Sequence, residues 1–145
     1  MSILSWNCQG LRNPWTINAL KRAWNKEAPI YVFLMETKLT TDQLNAKKQS
    51  RTYNQGIAVS SEGSSGGLAL LWKLGAKIYV KNFSCWFIDA YVVCETIGLT
   101  WRLTGFYGQL DTSKREETRT LLESLGRSIL RLFQHSSLAL CWRLQ

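Results

Sequence analysis

Two short apolar runs, Ile3-Leu4-Ser5-Trp6 and Ile30-Tyr31-Val32-Phe33-Leu34-Met35, each end on a polar side chain, Asn7 after the first and Glu36 after the second. One helix-like segment separates them. Asn13-Pro14 opens it, with Asn as N-cap and Pro at the first helical position. Ile17, Leu20 and Trp24 then recur at helical spacing with Ala23 beside them, while Lys21, Arg22 and Lys26 face out, and Pro29 ends the segment. A strand, a crossover helix and a second strand make a right-handed parallel unit whose strand ends emerge on one edge of the sheet. Open sheets carry their sites at that edge. Asn7 and Glu36 are therefore expected side by side there, and a carboxylate converging with an amide oxygen is half of a hard-cation site.

The rest of the chain reads mainly as strands. Thr40 to Gln43 has capping-box spacing and predicts a short helix. Gly63-Ser64-Ser65-Gly66-Gly67 is a turn between an Ile57-Ala58-Val59 strand and a Leu68-Ala69-Leu70-Leu71-Trp72 strand. Lys77 to Lys81 alternates as a half-exposed strand does, and Trp86 to Cys94 and Trp101 to Tyr107 are two more, with Gly98 between them. Ser113 and Glu116 form a second capping box, ahead of a long helix with Leu121, Leu125, Ile129 and Leu132 on one face. Leu138 to Trp142 starts a further strand. The order β-α-β, antiparallel strands, helix, apolar stub suits a mixed sheet packed on a second sheet with helices outside. No linker divides the chain, so residues 1–145 are read as one domain or a piece of one.

Composition narrows the function classes. The net charge of +8, from 18 Lys and Arg against 10 Asp and Glu, favours a polyanionic partner such as DNA or RNA. Seven Trp could stack on bases, yet most lie inside apolar patterns that read as core. Cys8, Cys85, Cys94 and Cys141 have no metal-type spacing, and no signal peptide precedes them, which points to reduced thiols in an intracellular protein. No visible run marks a nuclear address. The longest apolar run, Ile30 to Met35, is too short to cross a bilayer. Gly66-Gly67 lacks the Lys-Ser/Thr sequel of a phosphate-binding loop, and the single histidine, His135, leaves no zinc set and no serine-histidine pair. Glu36 stands out, because an unpaired carboxylate after an apolar run is costly to bury. Either it emerges into water at the sheet edge or a cation holds it. Asn7 has its own local alternative, bonding the backbone of the loop it starts.

Four motifs taken together resemble a known family: Ser5-Trp6-Asn7-Cys8-Gln9-Gly10-Leu11, Glu36-Thr37-Lys38, Gly66-Gly67-Leu68-Ala69-Leu70-Leu71-Trp72 and Thr104-Gly105-Phe106-Tyr107-Gly108. In order and spacing they resemble the endonuclease/exonuclease/phosphatase family, and within it the apurinic-type endonuclease domain of plant non-LTR (LINE-type) retrotransposons. The resemblance covers residues 3–125 and leaves 134–145 as a divergent tail. It implies an α+β, DNase I-like two-sheet sandwich flanked by helices in four layers, and a Mg²⁺- (or Mn²⁺-) dependent phosphodiesterase that nicks DNA. It also implies roles: Glu36 as the metal-binding glutamate, Asn7 as metal and phosphate support, Tyr107 as the active-site tyrosine and Lys38 as a phosphate contact.

The chain departs from the family pattern in ways that matter. Gln9 stands where apurinic endonucleases place Asp, Leu110 replaces a proline, and Arg119 replaces a Trp. The family's Gly-Asp-Phe-Asn and Ser-Asp-His motifs, which supply the acid-base half of the site, have no counterpart, and no Asp follows Asp111. The expectation is a truncated endonuclease domain, incomplete at its C-terminus and without activity of its own. The competing readings are a non-catalytic basic fragment that binds nucleic acid, a pseudogene product with no role, and a small-phosphoester phosphatase of the same superfamily. The oligomeric state is left open.

Overall fold

Strand β1 (Ile3–Asn7) runs parallel to β2 (Tyr31–Met35) in register from Ile3↔Tyr31 to Asn7↔Met35, with helix α1 (Pro14–Glu27) crossing between them. The computed structural model describes residues 2–48, 53–63, 65–107, 116, 119, 120, 123 and 139–143. Helix α1 begins as its sequence dictates: the Asn13 side chain accepts from Trp15 N–H at 3.0 Å and Pro14 takes the first turn. It ends on Ala28 in the left-handed region, with the cap N–H on the Trp24 carbonyl. Helix α2 (Thr41–Lys48) carries the reciprocal capping box, Gln43 N–H on Thr40 Oγ1 at 3.2 Å and Thr40 N–H on Gln43 Oε1 at 3.1 Å.

The first sheet has the order β1-β2-β4-β3, where β3 is Gln55–Val59 and β4 is Leu68–Trp72, both antiparallel to their neighbours. Its central strand β2 is buried at all five positions. The apolar run of Ile3 to Trp6 reads in sequence as a buried strand, yet β1 is an edge strand and half-buried throughout. The second sheet is β5-β6-β7-β8: Lys77–Phe83, Phe87–Cys94, Leu99–Phe106 and Ala139–Arg143, all antiparallel. The apolar segment at the C-terminal end is thus strand β8 on the β7 edge, paired from Gly105↔Ala139 to Trp101↔Arg143.

Two cores follow from the alternation of the strands. Val32, Leu34, Ala69 and Leu71 face α1 and α2, meeting Leu20, Leu44 and Tyr53. Phe33, Met35, Leu68 and Leu70 face the other way, against Ile88, Ala90, Val92 and Leu103 of the second sheet. Between the sheets Phe33 lies over Gly105, at which a Cβ would overlap the phenyl ring. On the other face of the second sheet Asp89, 1% exposed, accepts two bonds of 3.0 Å from Arg102 and one of 2.7 Å from Thr104. That network fully employs Asp89 as a structural anchor.

The architecture is α+β with two packed sheets, as expected. Of the long helix predicted after Ser113, the described residues Glu116, Arg119, Thr120 and Glu123 are helical, with Arg119 on Glu123 at 3.1 Å. Leu121, Leu125, Ile129, Leu132 and His135 lie outside the described residues. No described helix is long and apolar enough to cross a membrane.

Candidate active site

Met35 is the last residue of β2, and Glu36 leaves the strand at once by adopting φ 51, in the left-handed region that a side chain with a Cβ rarely occupies. Lys38 (φ 53) and Gln9 (φ 49) do the same. Three such residues in two adjacent loops are a concentration of backbone strain that the surroundings must enforce. The enforcement is a set of backbone hydrogen bonds. Cys8, Gly10 and Leu11 donate to the carbonyls of Met35, Glu36 and Thr37 at 2.8, 2.8 and 2.9 Å, so the loops after β1 and β2 run on side by side. From the other flank, Thr37 and Lys38 donate to the carbonyls of Gly67 and Gly66 at 3.1 and 3.0 Å. Gly67 sits at φ 89, and a Cβ there would overlap Thr37 Oγ1. The Gly-Gly pair, legible in sequence as a turn, is thus also the brace that holds Glu36 out of line with its strand.

The side chains then converge. Asn7 Nδ2 donates to Glu36 Oε1 at 3.2 Å, and the Tyr107 hydroxyl donates to the same oxygen at 2.7 Å. Tyr107 follows β7 in the second sheet, and its own N–H is held by the Trp86 carbonyl at 2.7 Å. One carboxylate oxygen is therefore gripped from both sheets, while among the described residues Oε2 accepts no hydrogen bond. Burial first, and then the hydrogen bond and charge of Glu36, push the Tyr107 hydroxyl up to about 12, which keeps it a donor at neutral pH. The Cys8 thiol beneath the site is also pushed up to about 12, by burial and then by Glu36, so it is an inert packing group.

The Asn7 amide divides its work. Its Oδ1 accepts from Gln9 N–H at 3.1 Å while its Nδ2 serves Glu36, so both local readings of this residue hold together. Nδ2 thus orients Glu36, while Oδ1 spends one of its two lone pairs on the Gln9 N–H. Lys38 lies on the same loop with Cδ against Gly10, and among the described residues it forms no ion pair with Glu36. Sequence reasoning anticipated that Asn7 would bond the backbone of its own loop, but not which N–H, and it missed the Gly67 brace and the Trp86 carbonyl. All three are backbone contacts, which residue identity does not reveal.

The donor set fits a hard divalent cation in one way. No group of three or more His, Cys, Asp or Glu comes together among the described residues. Mg²⁺, however, keeps most of its waters and is commonly held by one or two carboxylates plus substrate phosphate. Glu36 Oε2, half-exposed on a carboxylate fixed by its other oxygen, matches that mode and no all-protein cage.

No protein-family model matches the chain, and no curated protein matches it by sequence. Solved structures do. A 3'-5' exonuclease (NExo) from Neisseria meningitidis superposes with a TM-score of 0.58 at 19% identity, covering 86% of this chain and 50% of that one. The chain has a DNase I-like fold. An AP endonuclease, LMAP, from Leishmania major shares this DNase I-like fold with a TM-score of 0.56 at 17% identity, over 86% of this chain and 44% of its own. A Neisseria NExo variant, described as a 3' phosphatase bound to a product DNA hairpin, gives 0.58 at 19%, over 86% and 49%. The chain spans about half the length of the structures it matches.

Proposed function

We propose that this chain carries the cation side of the active site of a divalent-metal-dependent phosphodiesterase that acts on DNA, in the endonuclease/exonuclease/phosphatase family and its LINE-type retrotransposon branch. The observation that carries this reading is the double grip on Glu36 Oε1 by Asn7 and Tyr107, which fixes a half-buried carboxylate and leaves Oε2 without a hydrogen bond among the described residues. Glu36 Oε2 would hold Mg²⁺ or Mn²⁺; bound there, the ion would polarise a phosphoryl oxygen and steady the departing alkoxide. Asn7 fixes the carboxylate rotamer. Tyr107, kept protonated, spends its one proton on Glu36 and so restrains the carboxylate. Lys38 adds positive charge next to the phosphate position. The motifs quoted above supply the retrotransposon branch, and the net charge of +8 supports a polyanionic substrate.

Cleavage needs an oriented nucleophile and a base as well as a stabilised leaving group. Asp89 is bound up with Arg102, and no His or second carboxylate joins Glu36 among the described residues. The 145-residue chain is accordingly proposed to hold the ion and DNA without turning the substrate over. Mn²⁺ binding followed by electron paramagnetic resonance should be lost in Glu36→Ala, and supercoiled plasmid should stay intact with either protein in Mg²⁺. Equal Mn²⁺ binding by both would overturn the site. Mg²⁺-dependent nicking that disappears in Glu36→Ala would overturn the inactivity, while salt-sensitive DNA binding with no cation site would favour a non-catalytic basic binder.

A further inference from the structure

Among the described residues Trp15 is the most exposed of the large hydrophobic side chains, at 79%. Trp6, Trp24, Trp72, Trp86 and Trp101 are all half-buried. A single exposed apolar residue needs no explanation by itself. The placement of this one does. At about 100° per residue Trp15 lies on the far side of α1 from Leu20, which is buried in the core. It therefore gives nothing to packing.

Its position is nevertheless fixed. The Trp15 N–H is held by the Asn13 cap at 3.0 Å, and the loop just before that cap is tied to the loop of Glu36 by the Gly10 and Leu11 bonds of 2.8 and 2.9 Å. Helix α1 starts where β1 ends, so Trp15 stands on the same rim as Asn7 and Glu36. Exposed Arg12 lies between them, and Lys38 packs along Gly10. The first turn of α1 contains no acidic residue. An aromatic face and two cations, set beside a phosphate position, are the combination that binds single-stranded nucleic acid: the charges track the backbone and the ring takes a base.

We propose that Trp15 is a stacking platform for an unpaired base of the DNA strand that crosses the Glu36 site. This rests on the proposed DNA-directed function and adds the part of the substrate the site grips beyond the phosphate. The platform favours strands with an unstacked base over intact duplex, because a fully paired base offers no free face.

The test is fluorescence anisotropy with a labelled 12-nucleotide single strand and its blunt duplex. It is run in EDTA and repeated in a Glu36→Ala background, so that failure of the cation site leaves the stacking result readable. Trp15→Ala should weaken single-strand binding about tenfold and Trp15→Phe by only about twofold, with duplex binding unchanged. Stacking neutralises no phosphate, so the salt dependence of binding should keep its slope in Trp15→Ala. Arg12→Ala should reduce that slope by about 0.7. Single-strand affinity within twofold of wild type in Trp15→Ala would overturn the proposal. So would an equal loss on single strand and duplex, or a loss that Trp15→Phe shares in full.

Discussion

Glu36 Oε1 takes two donors of different kinds, an amide from its own sheet and a phenol from the other. An amide donates at any pH, whereas the phenol donates only while protonated. Burial and Glu36 extend that range upward, with the Tyr107 hydroxyl pushed to about 12 against about 10 in the unfolded chain. The folded pKa is the raised one. The contribution of Tyr107 to stability is therefore complete below pH 10 and is lost as pH climbs from 10 towards 12. Ultraviolet titration should show tyrosinate absorbance appearing near pH 12 that is missing from Tyr107→Phe. The variant should also lose less stability than wild type between pH 10 and 12. A Tyr107 hydroxyl that titrates near 10 would mean that the contact with Glu36 is not kept in solution.

At the scale of elements, the site depends on how two loops leave two strands. The loops after β1 and β2 are locked to each other and to Gly66-Gly67, and α1 is hung from the first of them by the Asn13 cap. The cap is thus both a helix start and a spacer between Trp15 and the site. Asn13→Ala removes the 3.0 Å bond to Trp15 N–H and should cost about 1 kcal/mol. In a domain of this size that is about 3 °C in thermal midpoint, measurable by circular dichroism. Glu36-dependent Mn²⁺ binding should survive the change, since the cap touches no residue that holds Glu36.

On the scale of the whole molecule, Tyr107 and Asn7 can meet on one carboxylate only because the two sheets pack at a fixed distance. Gly105 leaves room for Phe33 to pack against the second sheet, where a Cβ would overlap the ring. Gly105→Ala should cost about 1–3 kcal/mol by overpacking, seen as a lowered urea midpoint, and should weaken Mn²⁺ binding as Tyr107 is pushed off Glu36. Phe33→Leu vacates the ring positions. The double variant Gly105→Ala/Phe33→Leu should therefore lose less than the sum of the two single changes. Strict additivity would show that the close approach does not govern the sheet spacing.

Sequence alone determined what local rules control. The β-α-β unit was legible from two apolar runs around a capped amphipathic segment, because strand and helix periods leave their mark in residue order. Its parallel handedness then placed Asn7 beside Glu36. The motif resemblance pointed to Tyr107 as their partner. Tertiary structure decided the rest. That β1 is an edge strand depends on which strands pair, and that pairing is a property of the assembled sheet. That Asn7 both orients Glu36 and bonds its own loop depends on where one backbone N–H, that of Gln9, points. That Gly67 braces a strained glutamate, and that Trp15 stays in water while Trp6, Trp24, Trp72, Trp86 and Trp101 are half-buried, are distances between segments remote in sequence. Such distances are set by packing, which residue types constrain only when the whole chain has closed on itself.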